Sequence, residues 1–153
     1  MTWLSLDSAA QEVLCRFPAA LAPGTLVGLG NHGGFSGARL WRLEAGGQAL
    51  CLRAWPPSKP SSQRLEMIHG CMQRACAAGL AFVPALRTAG DGATAVEHAG
   101  RLWEITSWMP GRADFHERPT VARLEAVMTA LAELHAVWSN QSEIGRASCR
   151  ERV

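Results

Sequence analysis

Two features of this chain could do chemistry together. One is the stretch Gly30-Asn31-His32-Gly33-Gly34-Phe35-Ser36-Gly37-Ala38; the other is a single cation, Arg53, set between apolar neighbours in Leu50-Cys51-Leu52-Arg53-Ala54. A glycine-rich loop offers backbone N–H groups that can close around an anion. A guanidinium on a nearby strand would add a planar, permanently charged donor for phosphate oxygens. The chemistry on offer is therefore the holding of a phosphorylated ligand.

The loop must be positioned by the segments next to it in the chain. Arg39-Leu40-Trp41-Arg42-Leu43 and Ala49-Leu50-Cys51-Leu52-Arg53-Ala54-Trp55 show the apolar alternation of half-buried strands, with a turn at Gly46-Gly47 between them. The pattern predicts a β-hairpin after the loop, since glycine reaches the positive φ that tight hairpin turns need. Gly28-Leu29-Gly30-Asn31-His32-Gly33 also spells GxGxxG. The dinucleotide-binding form of that motif needs a helix directly after the loop, and a strand comes next here, which argues against it. A glycine-rich hairpin turn that holds no ligand remains the alternative on the local sequence.

At 153 residues the chain has room for one domain, or one lobe with a short extension. With 48% hydrophobic and 18% charged residues it can build a core. No apolar run reaches the roughly 18 residues of a membrane span, and the N-terminus has no basic-then-apolar signal, so the expectation is a cytoplasmic protein with no membrane partner. A net charge of +2 excludes an electrostatic case for nucleic acid. Lys59 is the sole lysine and lies in a Pro/Ser loop, so no lysine is available on a predicted strand. The five cysteines, Cys15, Cys51, Cys71, Cys76 and Cys149, form no C-x-x-C pair. They read as small thiols, not as metal ligands.

In chain order, Asp7 or Ser8 is expected to cap a first helix to about Arg16, with Val13, Leu14 and Phe17 apolar and Pro18 as its stop. Thr25–Leu29 reads as the first strand. Ser61 or Ser62 caps a second helix with Leu65, Ile68, Met72 and Cys76 on one face and Gly79 at its end. Glu66 flanks that face by about 100°, where it could reach Arg53 or simply meet solvent. Val83–Arg87 reads as an edge strand, Thr94–His98 as a strand pairing back onto it after Gly90-Asp91-Gly92, and Arg101–Trp108 as the strongest strand of the second half. Pro110-Gly111 breaks the sheet. Thr120 caps a third helix whose stripe Leu124, Val127, Met128, Leu131, Leu134 and Trp138 needs a packing partner further along the chain. His135 beside it is expected to be a packed, hydrogen-bonded residue.

Taken together, Thr25 to Trp138 resembles the first half of an aminoglycoside-phosphotransferase-like kinase. The pieces that carry this are Gly33-Gly34-Phe35-Ser36-Gly37-Ala38, Leu50-Cys51-Leu52-Arg53, Leu102-Trp103-Glu104-Ile105-Thr106-Ser107-Trp108-Met109-Pro110-Gly111, and Leu131-Ala132-Glu133-Leu134-His135. The resemblance implies an α+β fold: a protein-kinase-like small lobe, with an antiparallel sheet of about five strands plus one helix, then a hinge and the first helix of a truncated large lobe. The divisions would be an N-terminal helix (1–20), the small lobe (21–109), the hinge exit and first large-lobe helix (110–138), and a tail (139–153). That tail is polar, and it resembles translated vector or adaptor sequence.

The resemblance further implies ATP as the nucleotide. Backbone groups at Gly33, Gly34 and Gly37, with the Ser36 hydroxyl, would face the β- and γ-phosphates. Arg53, standing where the family has lysine, would contact the α- and β-phosphates, with Glu66 as its ion-pair partner. Backbone groups of Thr106, Ser107, Trp108 and Met109 would meet the adenine edge, and Val27, Leu52 and Ile105 would wall the base. The family's His-Gly-Asp catalytic loop and metal-binding aspartate would lie downstream of the third helix, outside this chain; Asp114 and Glu117 precede that helix and are misplaced to substitute. Mg²⁺ ligands and the small-molecule hydroxyl acceptor would belong to the full-length parent. The competing expectation is a non-enzymatic α+β interaction module, which uses the stripe of the third helix and some of the six tryptophans as an interface.

Overall fold

The computed structural model describes residues 5–21, 25–31, 36–57 and 60–139. Helix α1 (Leu6–Leu14) opens the fold. Its cap is Ser5, whose Oγ accepts from Ser8 N–H at 3.1 Å, in place of the expected Asp7 or Ser8. Asp7 lies in the first turn, where a carboxylate suits the helix dipole, and it accepts from Trp41 Nε1 at 2.7 Å.

Three strands come next: β1 (Thr25–Gly30), β2 (Arg39–Ala45) and β3 (Gln48–Ala54). β1 and β2 are antiparallel, so a strand does succeed the glycine loop. Ala45 pairs with Gln48 across Gly46 and Gly47, which have φ of 57° and 73°. Positive φ at both central residues defines the I′ turn, whose twist matches the strands it joins. Helix α2 (Ser62–Ala77) is capped by Ser61, and Gly79, at φ 84°, lies just past its end.

Strands β4 (Leu86–Arg87), β5 (Val96–His98) and β6 (Arg101–Ser107) complete a six-stranded sheet of order β1-β2-β3-β6-β4, with β5 also on β6. The expected pairing of Thr94–His98 back onto Val83–Arg87 is replaced by a different one. β4 and β5 both lie along β6, because Ala99 and Gly100, at φ 50° and 69°, turn β5 directly onto it. Among the described residues the result is an α+β fold with an antiparallel sheet and three α-helices.

Strand alternation gives the sheet two unlike faces. On one, Trp41, Leu43, Leu50, Leu52, Trp103 and Ile105 are buried with Ala9, Ala10, Val13, Leu14 and Phe17 in one core. The Trp41 and Trp103 rings stack with centroids 5.4 Å apart. α2 crosses the other face. Its buried residues are Leu65, His69 and Ala75, while Ile68, expected inside, is exposed.

Helix α3 (Val121–Ser139) is capped by Thr120, whose Oγ1 accepts from Arg123 N–H at 3.2 Å. It buries none of its residues. Val121, Leu124, Val127, Met128 and Leu131 are exposed, and so is His135, contrary to the packed position its place beside the stripe suggests. Near its end, Trp138 Nε1 donates to the Cys71 carbonyl of α2 at 3.1 Å. Among the described residues no helix is long and apolar enough to cross a membrane. The tail after Ser139 lies outside the described residues.

Candidate functional site

The face crossed by α2 carries the candidate site. Register pairing aligns Val27, Arg42, Cys51 and Thr106 in one row across β1, β2, β3 and β6, and Leu40, Arg53 and Glu104 in the next. Directly paired residues share a face, so Val27, Cys51, Arg53, Glu104 and Thr106 point the same way. Leu52 and Ile105 alternate to the opposite face and are fully buried in the α1 core. They cannot wall a base beside Arg53, whereas Cys51, two residues before it, lies on the Arg53 face. Val27 is half exposed on the expected face.

Arg53 is partly exposed, and its Nη1 donates to Glu104 Oε1 at 2.7 Å. Its guanidinium carbon also lies 5.1 Å from the centre of the Trp55 ring, a cation–π contact. The expected partner, Glu66, is exposed on α2 and joins none of the ion pairs among the described residues. The sheet supplies the carboxylate because Glu104 is the cross-strand neighbour of Arg53, whereas Glu66 sits round the helix from the buried Leu65 and His69.

Glu104 Oε2 lies 2.5 Å from His69 Nε2, and His69 Nδ1 lies 2.7 Å from Thr94 Oγ1. Burial alone would raise the Glu104 carboxyl; the hydrogen bond from His69 and the charge of Arg53 outweigh it and hold the group below the ordinary carboxylate range. At Cys51 the balance goes the other way. Burial pushes its thiol up, Arg53 only partly opposes this, and Glu104 adds to it.

Of the loop, Gly33 and Gly34 lie outside the described residues. Ser36 Oγ accepts from Ala38 N–H at 3.3 Å, turning the chain into β2. Gly37 has φ 71°, and a Cβ there would come within 3.8 Å of Pro56. The loop exit thus sits against the chain three residues past Arg53.

At the other edge of the site, Thr106 is buried on the Arg53 face. Ser107 N–H donates to Ala85 O at 2.8 Å and Trp108 N–H to Ala49 O at 2.9 Å. Those two donors, expected to meet a ligand, are used inside the sheet. The Met109 N–H makes no backbone hydrogen bond among the described residues. The Trp108 ring lies 5.1 Å from the Arg42 guanidinium. Asp114 is bound to Arg123 ahead of α3. Among the described residues, no group of three or more His, Cys, Asp or Glu is placed to hold a metal.

Sequence reasoning misses Glu104 and His69. The available signals are a lone charge inside the apolar run Leu102–Ile105, and a histidine four residues after Leu65, hence on its helix face.

A model of the phosphotransferase enzyme family (APH) matches residues 28–147. No curated protein matches the chain. Among solved structures, it is similar to an aminoglycoside phosphotransferase from Alicyclobacillus acidocaldarius subsp. acidocaldarius DSM 446, with TM-score 0.62 and 14% identity over 90% of this chain and 36% of that one. A spectinomycin phosphotransferase in complex with ADP and spectinomycin gives TM-score 0.63 and 8% identity over 83% of this chain and 36% of that one. The chain therefore spans about a third of the length of these neighbours.

Proposed function

Because this chain belongs to the phosphotransferase enzyme family, we propose that it is the nucleotide-holding part of an ATP-dependent phosphotransferase acting on a small-molecule hydroxyl. The observation that carries this reading is Arg53. It is a partly exposed guanidinium near the end of β3, on the face it shares with Val27, Cys51 and Thr106, and the exit of the glycine loop sits against Pro56, three residues further along the same chain. Backbone groups of the loop from Gly33 to Gly37, with Ser36, face the β- and γ-phosphates in this reading, and Arg53 the α- and β-phosphates. Val27 and Cys51 wall the base. The Trp108 carbonyl and the Met109 N–H take the adenine edge, since the N–H groups of Ser107 and Trp108 are already bonded.

Phosphoryl transfer also needs an acceptor for the hydroxyl proton and ligands for Mg²⁺, which neutralises charge on the transferring group. Both belong, in this reading, to the large lobe of a longer parent. The exposed stripe Leu124, Val127, Met128 and Leu131 supports this, because a helix with an apolar face and no buried residue fits one wall of a larger core. This chain by itself is expected to hold nucleotide and transfer nothing.

The same stripe would also serve an interaction module. Thermal unfolding with Mg-ATP separates the two readings. At a nucleotide concentration 100 times Kd, binding should stabilise the wild type by about 2.7 kcal/mol, and Arg53→Ala should lose most of that shift. Identical curves with and without nucleotide, from a stable homodimer, would favour the module.

A further inference from the structure

Arg53 and Glu104 are cross-strand partners, so their ion pair is internal to the sheet and does not bridge the sheet to α2. α2 reaches the pair one step back, through His69 on the second oxygen of Glu104. His69 and Glu104 are 1% and 2% exposed, against 35% for Arg53, so the chain of contacts runs from the interior out to the ligand face. In its buried part Nε2–H of His69 donates to the Glu104 carboxylate, and Nδ1 is paired with the Thr94 hydroxyl, which can donate or accept.

Packing alone explains a satisfied histidine. It does not explain a carboxylate taken out of water in the centre of an apolar strand, which is costly unless the group holds a cation. The contact with Arg53 is also one-sided. Only Nη1 is engaged among the described residues, which leaves the edge formed by Nε and Nη2 free to meet two oxygens of one phosphate.

We infer that Glu104 and His69 are positioning residues: Glu104 turns the free edge of Arg53 towards a bound nucleotide's phosphates, and His69 fixes Glu104 so that α2 acts on Arg53 through the imidazole. This rests on the nucleotide reading above and deepens it. α2 needs no carboxylate of its own, which accounts for Glu66 standing in solvent.

The test uses the whole chain and two ligands, Mg-ATP and adenosine, which lacks phosphates, titrated by calorimetry. Side-chain ¹⁵N NMR of the Arg53 guanidinium runs alongside. Glu104→Gln should weaken ATP by roughly tenfold, the loss of one charge-assisted bond, and leave adenosine unchanged. His69→Leu should weaken ATP by about threefold and speed rotation of the guanidinium. His69→Gln, whose amide can still donate to Glu104, should restore both, and it remains informative if the leucine variant fails to fold.

Equal weakening of ATP and adenosine, or an Arg53 signal indifferent to His69→Leu, would overturn the relay. A wild type that binds neither ligand while its Arg53 signal still responds to His69 would overturn the nucleotide reading and uphold the relay.

Discussion

The two faces of the sheet come from the same strands and do opposite work. On one, Trp41, Leu43 and Ala45 of β2, Leu50, Leu52 and Ala54 of β3, and Trp103 and Ile105 of β6 enter a buried core with α1, with the Trp41 and Trp103 rings stacked within it. On the other, the intervening residues include Arg42, Cys51, Arg53, Glu104 and Thr106, with α2 laid across part of the face. A shift of one residue in pairing would exchange the two sets. Stability and candidate chemistry are thus separated by the pleat, residue by residue, and should be separable by mutation.

The largest expected effect is on the core face. Leu52→Ala should cost about 2–5 kcal/mol of stability in chemical denaturation, and, where the protein still folds, it should leave the preference for ATP over adenosine intact. A change in that preference would show that the two faces are coupled.

A smaller effect is expected from acid. Since the folded carboxyl of Glu104 lies below its ordinary value, the unfolded chain takes up more protons as pH falls. Its contribution to stability is complete above the usual glutamate range near pH ~4.3. It is lost as pH drops through that range and through the lower folded value. Denaturation of the wild type and Glu104→Gln between neutral pH and about pH 3 should therefore converge on acidification, and parallel curves would remove Glu104 as the source. Asp114, held low by Arg123, shifts in the same direction in both proteins and cancels in the comparison.

The smallest effect belongs to Glu66. Glu66→Ala should change stability by no more than about 0.5 kcal/mol and leave the ATP-dependent thermal shift unaltered. Loss of that shift would restore Glu66 to the site against the geometry of Arg53 and Glu104.

These faces are partly legible in the sequence. The hairpin over Arg39–Ala54, the cap at Thr120 and Arg53 as a strand-borne cation rest on local rules of alternation, turn chemistry and capping, and local rules reach that far. Helix spacing offers Glu66 to Arg53 only because a flanking carboxylate can reach sideways. Which carboxylate arrives first depends on the register of β3 with β6, which joins residues 51 positions apart. Leu52 and Ile105 fall to the ligand side in the sequence for the same reason: alternation shows that neighbouring residues diverge, but not which of them faces α1. The second-half strands pair differently from the expectation because the short turn at Ala99-Gly100 outcompetes the longer loop at Gly90–Gly92.

The bond from Trp138 to Cys71 fastens the far end of α3 to the middle of α2, while its near end is tethered by the chain leaving β6. Whatever seats on the oily side of α3 would therefore press on a helix already joined to α2, so that the apolar stripe and the helix that carries His69 are linked through one indole and one carbonyl.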